Sequence, residues 1–339
     1  MPLGCSIVME KKARHYILDN ITSAVYNKPR IVKEINSYAT IPTLTQFLEN
    51  NGQDIRILYQ GSNCWSSLKR AAGRISYADD TVTKRLEKGV SNLIHHNTSS
   101  FLHFVEQFIA GEDVHKVEYN KTYAIMLYYD LFQDKLSKTG YNSINEALDL
   151  IHLPKYNCFK QEIAEVISHL LANLEIRTTP IEKGVIAGLE LYGCYTREEI
   201  FTLVGRQTAD VRMQGAASGA FNLPEHNTVL LFVTLNKSEK DFSPSTQYND
   251  YLINENYFHW QSKNTDSHYN SGGRKYIEQP KTGIKIILFV REEKKDGFGN
   301  TSPFHCFGLV DYVSSHDDFP MNVKWKLQKP AMAQYLKAI

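Results

Sequence analysis

The chain has 339 residues, of which 42% are hydrophobic and 22% are charged, and its formal net charge is +1. This length and composition are ordinary for a soluble globular protein and allow two domains, each with its own core. Because a nearly neutral chain has no global field that attracts polyanions, any binding of nucleic acid must depend on a local basic patch.

The cysteines and the apolar segments both favour an intracellular chain. The five cysteines, at positions 5, 64, 158, 194 and 306, form no CxxC pair and have no zinc-ligand spacing with histidine. Scattered thiols of this kind are typical of a reducing compartment, so we expect a cytoplasmic protein. No apolar segment is long enough to span a bilayer and the N-terminus lacks a signal-peptide pattern, so no membrane partner is expected.

Helical periodicity dominates the chain from its start to about residue 185. Asn, Gly, Pro and Asp fill the turns between the periodic segments, and no internal repeat is visible, which predicts a non-repeating array of packed helices. Apolar residues recur at helical spacing in residues 13–26, 43–50, 66–73, 84–94, 99–109, 125–132, 144–151 and 161–174.

The helical part contains the sequence His95-His96-Asn97, which has two interpretations. It resembles the start of an HNH-nuclease motif, but the companion acidic and asparagine residues of that motif are absent. The second interpretation is a pair of histidines at a helix end, and the sequence favours it.

Motifs for phosphate transfer and nucleophilic catalysis are absent from the chain. The sequence contains no P-loop, no GxGxxG, no HxK tripeptide and no GxSxG. It also offers no metal-ligand cluster and no nucleophile–base pair at recognisable spacing. We therefore expect no catalysis by this chain alone, no cofactor and no bound metal.

The composition changes near Pro180, which follows two threonines and cannot continue a helix. We therefore divide the chain into an all-helical N-terminal domain, residues 1–185, and a second domain, residues 186–339.

The second domain is predicted to combine a sheet with a few helices. Thr196 and Glu199 have the spacing of a capping box, which predicts a short helix at residues 196–203. A second short helix is expected within residues 330–339. The fold class is therefore α+β, with a mixed, curved sheet after the helical domain. Apolar runs and alternating patterns predict strands at residues 229–235, 284–290, 304–313 and 323–327.

The stretch from Phe242 to Ile277 differs from an ordinary core strand because its aromatic residues stand among amides, hydroxyls and basic residues. Residues two apart in a strand share a face. A strand here would therefore present two rows of side chains, and two interpretations are open. In the first, one row shapes a pocket for a flat base. In the second, the aromatic residues belong to the core and the polar residues cap a sheet edge. The two rows are Phe258, Trp260, Ser262 and Asn264 on one side, and His259, Gln261, Lys263 and Thr265 on the other.

Residues 263–295 carry eight basic against four acidic residues. These basic side chains are either phosphate contacts on a duplex or solvated strand edges that block aggregation. Asp250 has two interpretations as well: an acceptor for the exocyclic amine of cytosine, or a surface residue in a turn. The candidate contacts to the DNA backbone are Lys263, Arg274, Lys275, Arg291 and Lys294.

Four segments of the second domain resemble the DUF3427 family. They are VTLNKSEKDFSPSTQY, ENYFHWQSKNTDS, IILFVREEKKDGFGNTSPFHCFGLVDYV and MNVKWKLQKPA, and the resemblance covers about residues 190 to 339. It implies an SRA/PUA-like, barrel-like domain of the kind found at the C-terminal end of restriction-associated helicases. SauUSI-like type IV restriction enzymes, which are modification-dependent, join such a reader to a nuclease and a helicase.

The resemblance implies recognition of double-stranded DNA that contains 5-methylcytosine or 5-hydroxymethylcytosine. Partners would be the helicase and nuclease domains of the same full-length protein, with residues 1–185 as a helical coupler. Burial of one methyl group stabilises a complex by only ~1 kcal/mol, so base flipping into a shaped pocket is expected. The alternative is a protein-interaction module that docks on the helicase and contacts DNA non-specifically. Candidates for stacking are Tyr248, Tyr251 and Trp260, and candidates for reading the base edge are Asp250, Gln261, Ser262, Asn264 and Thr265.

Overall fold

The computed structural model of the protein describes residues 26–112, 118–181, 186–213, 219–237 and 248–336. Its architecture is α+β, with helices in the first part of the chain and a large mixed sheet in the second. Residues 13–25 of the expected first helix, and residues 242–247 of the aromatic stretch, lie outside the described residues.

The helices of the first part form a packed layer. Each periodic segment from residue 43 onward contains a helix, as the spacing predicts. No helix within the described segments is both long and apolar enough to cross a membrane. The helices are α1 (Lys28–Ser37), α2 (Leu44–Asn51), α3 (Trp65–Ala71), α4 (Thr81–Gly89), α5 (Ser99–Ala110), α6 (Glu118–Phe132), α7 (Leu136–Thr139), α8 (Ile144–Asp149) and α9 (Asn157–Ala172).

Local sequence explains where several of these helices begin. Thr43 and Gln46 form a reciprocal capping box at the start of α2, which satisfies two backbone groups that a helix end leaves free. The side chain of Asn27 caps α1, and a proline occupies the first turn of that helix. The sequence pattern missed α1 because Ile31 and Ile35 are its only buried residues.

A buried carboxylate ties two helices of this layer together. Glu162 of α9 is fully buried, and its oxygens accept hydrogen bonds from the backbone N–H groups of Trp65 (2.7 Å) and Ser66 (2.8 Å) at the start of α3. The hydroxyl of Tyr59 donates a third hydrogen bond at 2.9 Å. Burial raises the pKa of Glu162, which these hydrogen bonds oppose.

The second part of the chain contributes ten strands and four short α-helices within the described segments. The helix expected at residues 196–203 is present as α10, and Thr196 and Glu199 form the expected capping box. The strands are β1 (Thr179–Pro180), β2 (Glu190–Leu191), β3 (Cys194–Tyr195), β4 (Ala220–Leu223), β5 (Thr228–Thr234), β6 (Tyr251–Asn254), β7 (Tyr257–Gln261), β8 (Lys285–Arg291), β9 (Phe304–His316) and β10 (Asn322–Leu327), and the helices are α10 (Arg197–Leu203), α11 (Ser271–Ile277), α12 (Gln279–Thr282) and α13 (Ala333–Leu336).

Eight of these strands form one mixed sheet in the order β4-β5-β8-β9-β10-β7-β6, with β3 paired to the start of β9. Strands β5 and β8 are parallel, from Thr228 opposite Lys285 to Thr234 opposite Arg291, and the other pairs are antiparallel. The expected barrel-like closure is wrong, because the path ends at β4 and β6 and these two strands are not paired in the described part of the chain.

Strands β5 and β8 contribute side chains to two cores. Alternate residues of these strands, such as Leu230 and Phe289, belong to a core that they share with the helical layer. The residues between them, such as Leu231 and Leu288, belong to a second core with the inner residues of β7 and β10. Helices therefore cover one face of β5 and β8, while the other face of these strands belongs to the second core.

Candidate nucleic-acid interface and buried histidine cluster

Trp260 lies inside the second core. It is 3% exposed, and its ring centroid is 5.0 Å from that of Tyr276 and 6.2 Å from that of Trp325. Ser262 is also fully buried, and its hydroxyl accepts a hydrogen bond from the Met321 backbone N–H at 3.0 Å. Both side chains therefore support the fold, and in this conformation neither can contact a base. Their positions correspond to the interpretation in which the aromatic residues form the core.

Asp250 is buried and is engaged by its own chain. Its carboxylate accepts hydrogen bonds from Lys237 Nζ at 2.6 Å and from the Gln261 backbone N–H at 2.9 Å. Burial raises the pKa of Asp250, while the Lys237 charge opposes this shift. Lys237 Nζ also donates to the backbone carbonyl of the half-buried Tyr248 at 2.6 Å. Asp250 thus fixes the entry into β6, and both of its carboxylate oxygens accept hydrogen bonds from this chain.

The opposite face of the same strands is open to solvent. Tyr251 is 44% exposed, and its ring is stacked on that of His259 with centroids 4.5 Å apart and planes inclined by 15°. His259 Nδ1 lies 2.8 Å from the backbone carbonyl of Asn249 and donates to it, which fixes the orientation of the imidazole. The amide of Gln261, on this same face, accepts from the Asn249 backbone N–H at 2.6 Å.

Two lysines of β10 extend this surface. Lys324 lies opposite His259 in the strand register, and its Nζ is 4.5 Å from the ring centroid of Tyr257. Lys326 lies opposite Tyr257 and is exposed. The alternation of apolar and polar residues in β10 predicted a solvent-exposed face. Nothing in the sequence indicated that β10 pairs with the aromatic stretch and places these lysines beside it. We define the β6–β7–β10 face as Tyr251, Tyr257, His259, Gln261, Asn322, Lys324 and Lys326.

The remaining predicted edge-reading residues and one lysine follow β7 directly. Lys263, Asn264 and Thr265 are exposed in the loop that begins where β7 ends. They therefore follow Gln261, the last β7 residue of the β6–β7–β10 face, by two to four positions along the chain.

The other predicted backbone contacts do not lie on the β6–β7–β10 face. Arg274 of α11 forms an ion pair at 2.6 Å with Glu278, the residue that follows this helix. Lys275 is half-buried and donates to the Asn222 side chain at 3.1 Å. Arg291 belongs to β8, where its guanidinium lies 4.3 Å from the centroid of the Phe304 ring. Lys294 follows β8 and is half-buried. The sheet order separates β8 from β7 by two strands, so these basic residues do not form a single patch.

One cavity of about 390 Å³ lies in the helical layer and does not border the aromatic stretch. Its wall includes an ion pair between Arg70 and Glu87 at 2.9 Å, so the cavity is polar. It is lined by Lys28, Ser62, Ser67, Arg70, Ala71 and Glu87.

A second group of polar residues is buried where the helical layer meets the sheet domain. His95 Nε2 lies 3.1 Å from the carboxylate of Glu199, and His96 Nε2 lies 3.1 Å from Asp130 Oδ2 and 3.7 Å from Glu199 Oε1. The two imidazole rings are stacked with centroids 4.3 Å apart. Burial lowers the pKa of His96 to about 3, and burial together with the Glu199 charge raises the pKa of Asp130.

The residue after these histidines joins the same two parts of the chain. Asn97 donates to the Tyr192 backbone carbonyl at 3.0 Å and accepts from the Cys194 backbone N–H at 2.6 Å. The turn at Gly193 packs directly against Thr98. A Cβ atom at Gly193 would lie 2.7 Å from Thr98 Cγ2, which is too close for a side chain. All three residues of the His95-His96-Asn97 sequence therefore contact the C-terminal part of the chain.

The histidine cluster has the composition of a metal site. His95, His96 and Glu199 each offer one ligand atom, and these atoms all lie within 4.8 Å of one another. Sequence reasoning missed the cluster because Glu199 is far from the histidines along the chain and was identified only as a helix cap. The adjacent histidines were the one signal that could have indicated it.

The protein is therefore of the α+β class. Its mixed sheet is open, helices cover part of that sheet, and the β6–β7–β10 face carries aromatic and basic side chains. Residues 189–338 match the family model of DUF3427, which is described as a domain of unknown function. No curated protein matches the chain. The matched residues run from just before β2 to the end of α13, so they include the whole eight-stranded sheet and Glu199 but not the two histidines.

Proposed function

We propose that the DUF3427 segment binds DNA through the β6–β7–β10 face and recognises 5-methylcytosine or 5-hydroxymethylcytosine. The observation that carries the proposal is the exposed Tyr251 ring, stacked on His259 and followed across the sheet by Lys324. Aromatic rings that stack on bases, next to cations that meet phosphates, are the usual elements of a surface that binds unpaired nucleotides.

The arrangement of Tyr251 suits a stacking platform. The hydrogen bond from His259 to the Asn249 carbonyl holds the imidazole, and the imidazole in turn supports one face of the Tyr251 ring. A ring that is already oriented loses little conformational entropy when a base stacks on its other face. Such stacking stabilises a complex by ~1–3 kcal/mol per base.

Modification readout is proposed to act on an extruded base. Inside a duplex, one additional methyl group offers only ~1 kcal/mol of burial, whereas a flipped base presents its whole edge. In this proposal Tyr251 takes the stacking role, because Trp260 is in the core. Asn264 and Thr265, exposed just after β7, are the proposed contacts to the base edge, and Lys263 is the proposed contact to phosphate.

We further propose that this module is the recognition part of a type IV restriction enzyme whose helicase and nuclease belong to the same full-length protein. The sequence resemblance motivates this part of the proposal. The contacts of Asn97 with Tyr192 and Cys194, and the core shared by helices and sheet, support a role for the helical layer as a coupler.

A second candidate function is docking of a protein partner, with only non-specific DNA contact. It is favoured by two exposed apolar side chains on strands of the same sheet, Ile253 at 36% and Val313 at 43%.

The experiment that separates these functions is a fluorescence-anisotropy titration with duplexes of one sequence that carry cytosine, 5-methylcytosine or 5-hydroxymethylcytosine. Modification readout predicts that at least one modified duplex binds about fivefold tighter, which corresponds to burial of one methyl group. The preference should persist from low to high salt, because phosphate contacts are equal for all three duplexes. Equal affinities at every salt concentration would exclude modification readout and favour the docking function.

A further inference from the structure

The ligand atoms of the buried histidine cluster have the mutual distances that a metal ion requires. In a tetrahedral site with bonds of ~2.0–2.1 Å, neighbouring ligand atoms stand ~3.3 Å apart. His95 Nε2 and Glu199 are 3.1 Å apart, and His96 Nε2 and Glu199 are 3.7 Å apart. Both distances to Glu199 are within a few tenths of an ångström of this spacing, and all three ligand atoms lie within 4.8 Å of one another.

One ligand atom of the cluster has unsatisfied bonding capacity. Glu199 Oε1 is buried without a hydrogen bond, and the side chain of His96 beside it is 0% exposed. Buried polar atoms without partners are costly and call for an explanation such as a bound ion. The cluster also places the carboxyl groups of Asp130 and Glu199 close to the same imidazole, which concentrates negative charge in a buried region.

From these observations we propose that His95, His96 and Glu199 bind one divalent transition-metal ion of the zinc class. Two imidazole nitrogens and one carboxylate oxygen favour such an ion over Mg²⁺ or Ca²⁺, which prefer oxygen ligands alone. Three protein ligands leave one position open, and Asp130, 3.1 Å from His96 Nε2, lies beside that set. The side chain of His95 is 15% exposed, so the ion has a short route from solvent.

The proposed ion would join the two parts of the chain. The histidines precede α5 in the helical layer, whereas Glu199 lies in α10 within the DUF3427 segment. An ion shared by both would close a long loop of the chain and stabilise the position of the sheet on the helices. This role is independent of the proposed DNA binding, because none of the three ligand residues belongs to the β6–β7–β10 face.

The competing explanation is a hydrogen-bonded network in which Asp130 and Glu199 share a proton and no metal binds. Metal content and metal-dependent stability distinguish the two. The 339-residue chain, purified without an affinity tag that contains histidine, is stripped with EDTA, dialysed and titrated with Zn²⁺, and bound zinc is measured by mass spectrometry. Co²⁺ is used as a second probe, because its visible absorption reports the geometry of its ligands.

We expect one zinc ion per chain and a Tm that rises by about 5 °C at saturating Zn²⁺, the shift produced by a ligand present well above its Kd. His95→Ala and Glu199→Gln should each weaken zinc binding at least tenfold and abolish the Co²⁺ spectrum. His103→Ala is the matched control: this histidine is exposed in α5, its Nδ1 lies 3.0 Å from Glu106, and it does not belong to the cluster, so its loss should leave zinc binding unchanged.

The proposal would be overturned if the stripped chain takes up no zinc, if Zn²⁺ leaves the Tm unchanged, or if His95→Ala binds zinc as tightly as the original chain. Circular dichroism shows whether each variant is folded. Because His95 is near the surface, His95→Gln provides a second, more conservative variant, and it should also lose the metal while its amide retains a hydrogen bond to Glu199. The metal-stripped chain is also titrated with the DNA duplexes. DNA binding is then measured independently of zinc binding, so failure of one proposal can be distinguished from failure of the other.

Discussion

Tyr251 and Trp260 lie on neighbouring strands and face opposite sides of the sheet. Tyr251 stacks on His259 in solvent, and Trp260 packs on Tyr276 in the second core. The strand period correctly grouped Phe258 with Trp260, and both are buried. It could not tell which row faces inward, because that depends on α11 and β10, which are distant in sequence. The sequence therefore identified the segment, while the structure identifies its accessible side.

At the scale of single residues, Tyr251→Ala should weaken DNA binding about tenfold, since it removes one stacking face of ~1–3 kcal/mol. The measurement is fluorescence anisotropy with the preferred duplex. Tyr269→Ala is the matched control, because Tyr269 is 87% exposed but precedes α11 and is not part of the β6–β7–β10 face. Equal losses for the two variants would remove Tyr251 from the proposed interface.

Lys324→Gln should lower the affinity for all duplexes alike and reduce the slope of log K against log salt by about 1, because it removes one phosphate contact. The discrimination between modified and unmodified cytosine should stay unchanged. Lys33→Gln, which removes an exposed lysine from α1, is expected to leave the slope unaltered. A slope that does not change in Lys324→Gln would mean that β10 does not contact the phosphate backbone.

At the scale of elements, hydrophobic periodicity and capping residues were sufficient to locate most helices and strands along the sequence. The capping box of Thr196 and Glu199 and the apolar runs of β5 and β8 appear where the sequence predicted them. The order of strands could not be predicted, since the parallel pairing of β5 with β8 depends on the long connection between them. The histidine cluster could not be predicted either, because His96, Asp130 and Glu199 meet only after the helices pack.

The packing of α9 on α3 gives a stability prediction. Glu162→Ala should lower the free energy of unfolding by about 3–5 kcal/mol, because it leaves three buried donors without an acceptor. Urea denaturation monitored by circular dichroism measures the loss. Glu165→Ala is the control on the same helix: this carboxylate is half-buried and accepts one hydrogen bond, from the Leu44 backbone N–H. Its removal should cost about 1 kcal/mol.

At the scale of the whole molecule, the helical layer and the sheet share one apolar core. Leu230, Phe232, Ile287 and Phe289 project from the sheet into the cluster formed by the helices. A fragment of residues 186–339 would expose these side chains to water. We therefore expect this fragment to bind a hydrophobic dye strongly and to aggregate, whereas the full chain stays monodisperse. A fragment that remains soluble and unfolds cooperatively would show that the sheet is stable without the helices.

The shared core also has a consequence for synthesis of the chain. The ribosome completes the helical layer well before it reaches β8, and β5 can only gain its parallel neighbour once Arg291 has emerged. Until then the helices lack the part of their core that the sheet supplies, so we expect the nascent chain to depend on chaperones. Slow codons placed between β5 and β8 should accordingly reduce the yield of folded protein more than slow codons placed after β10.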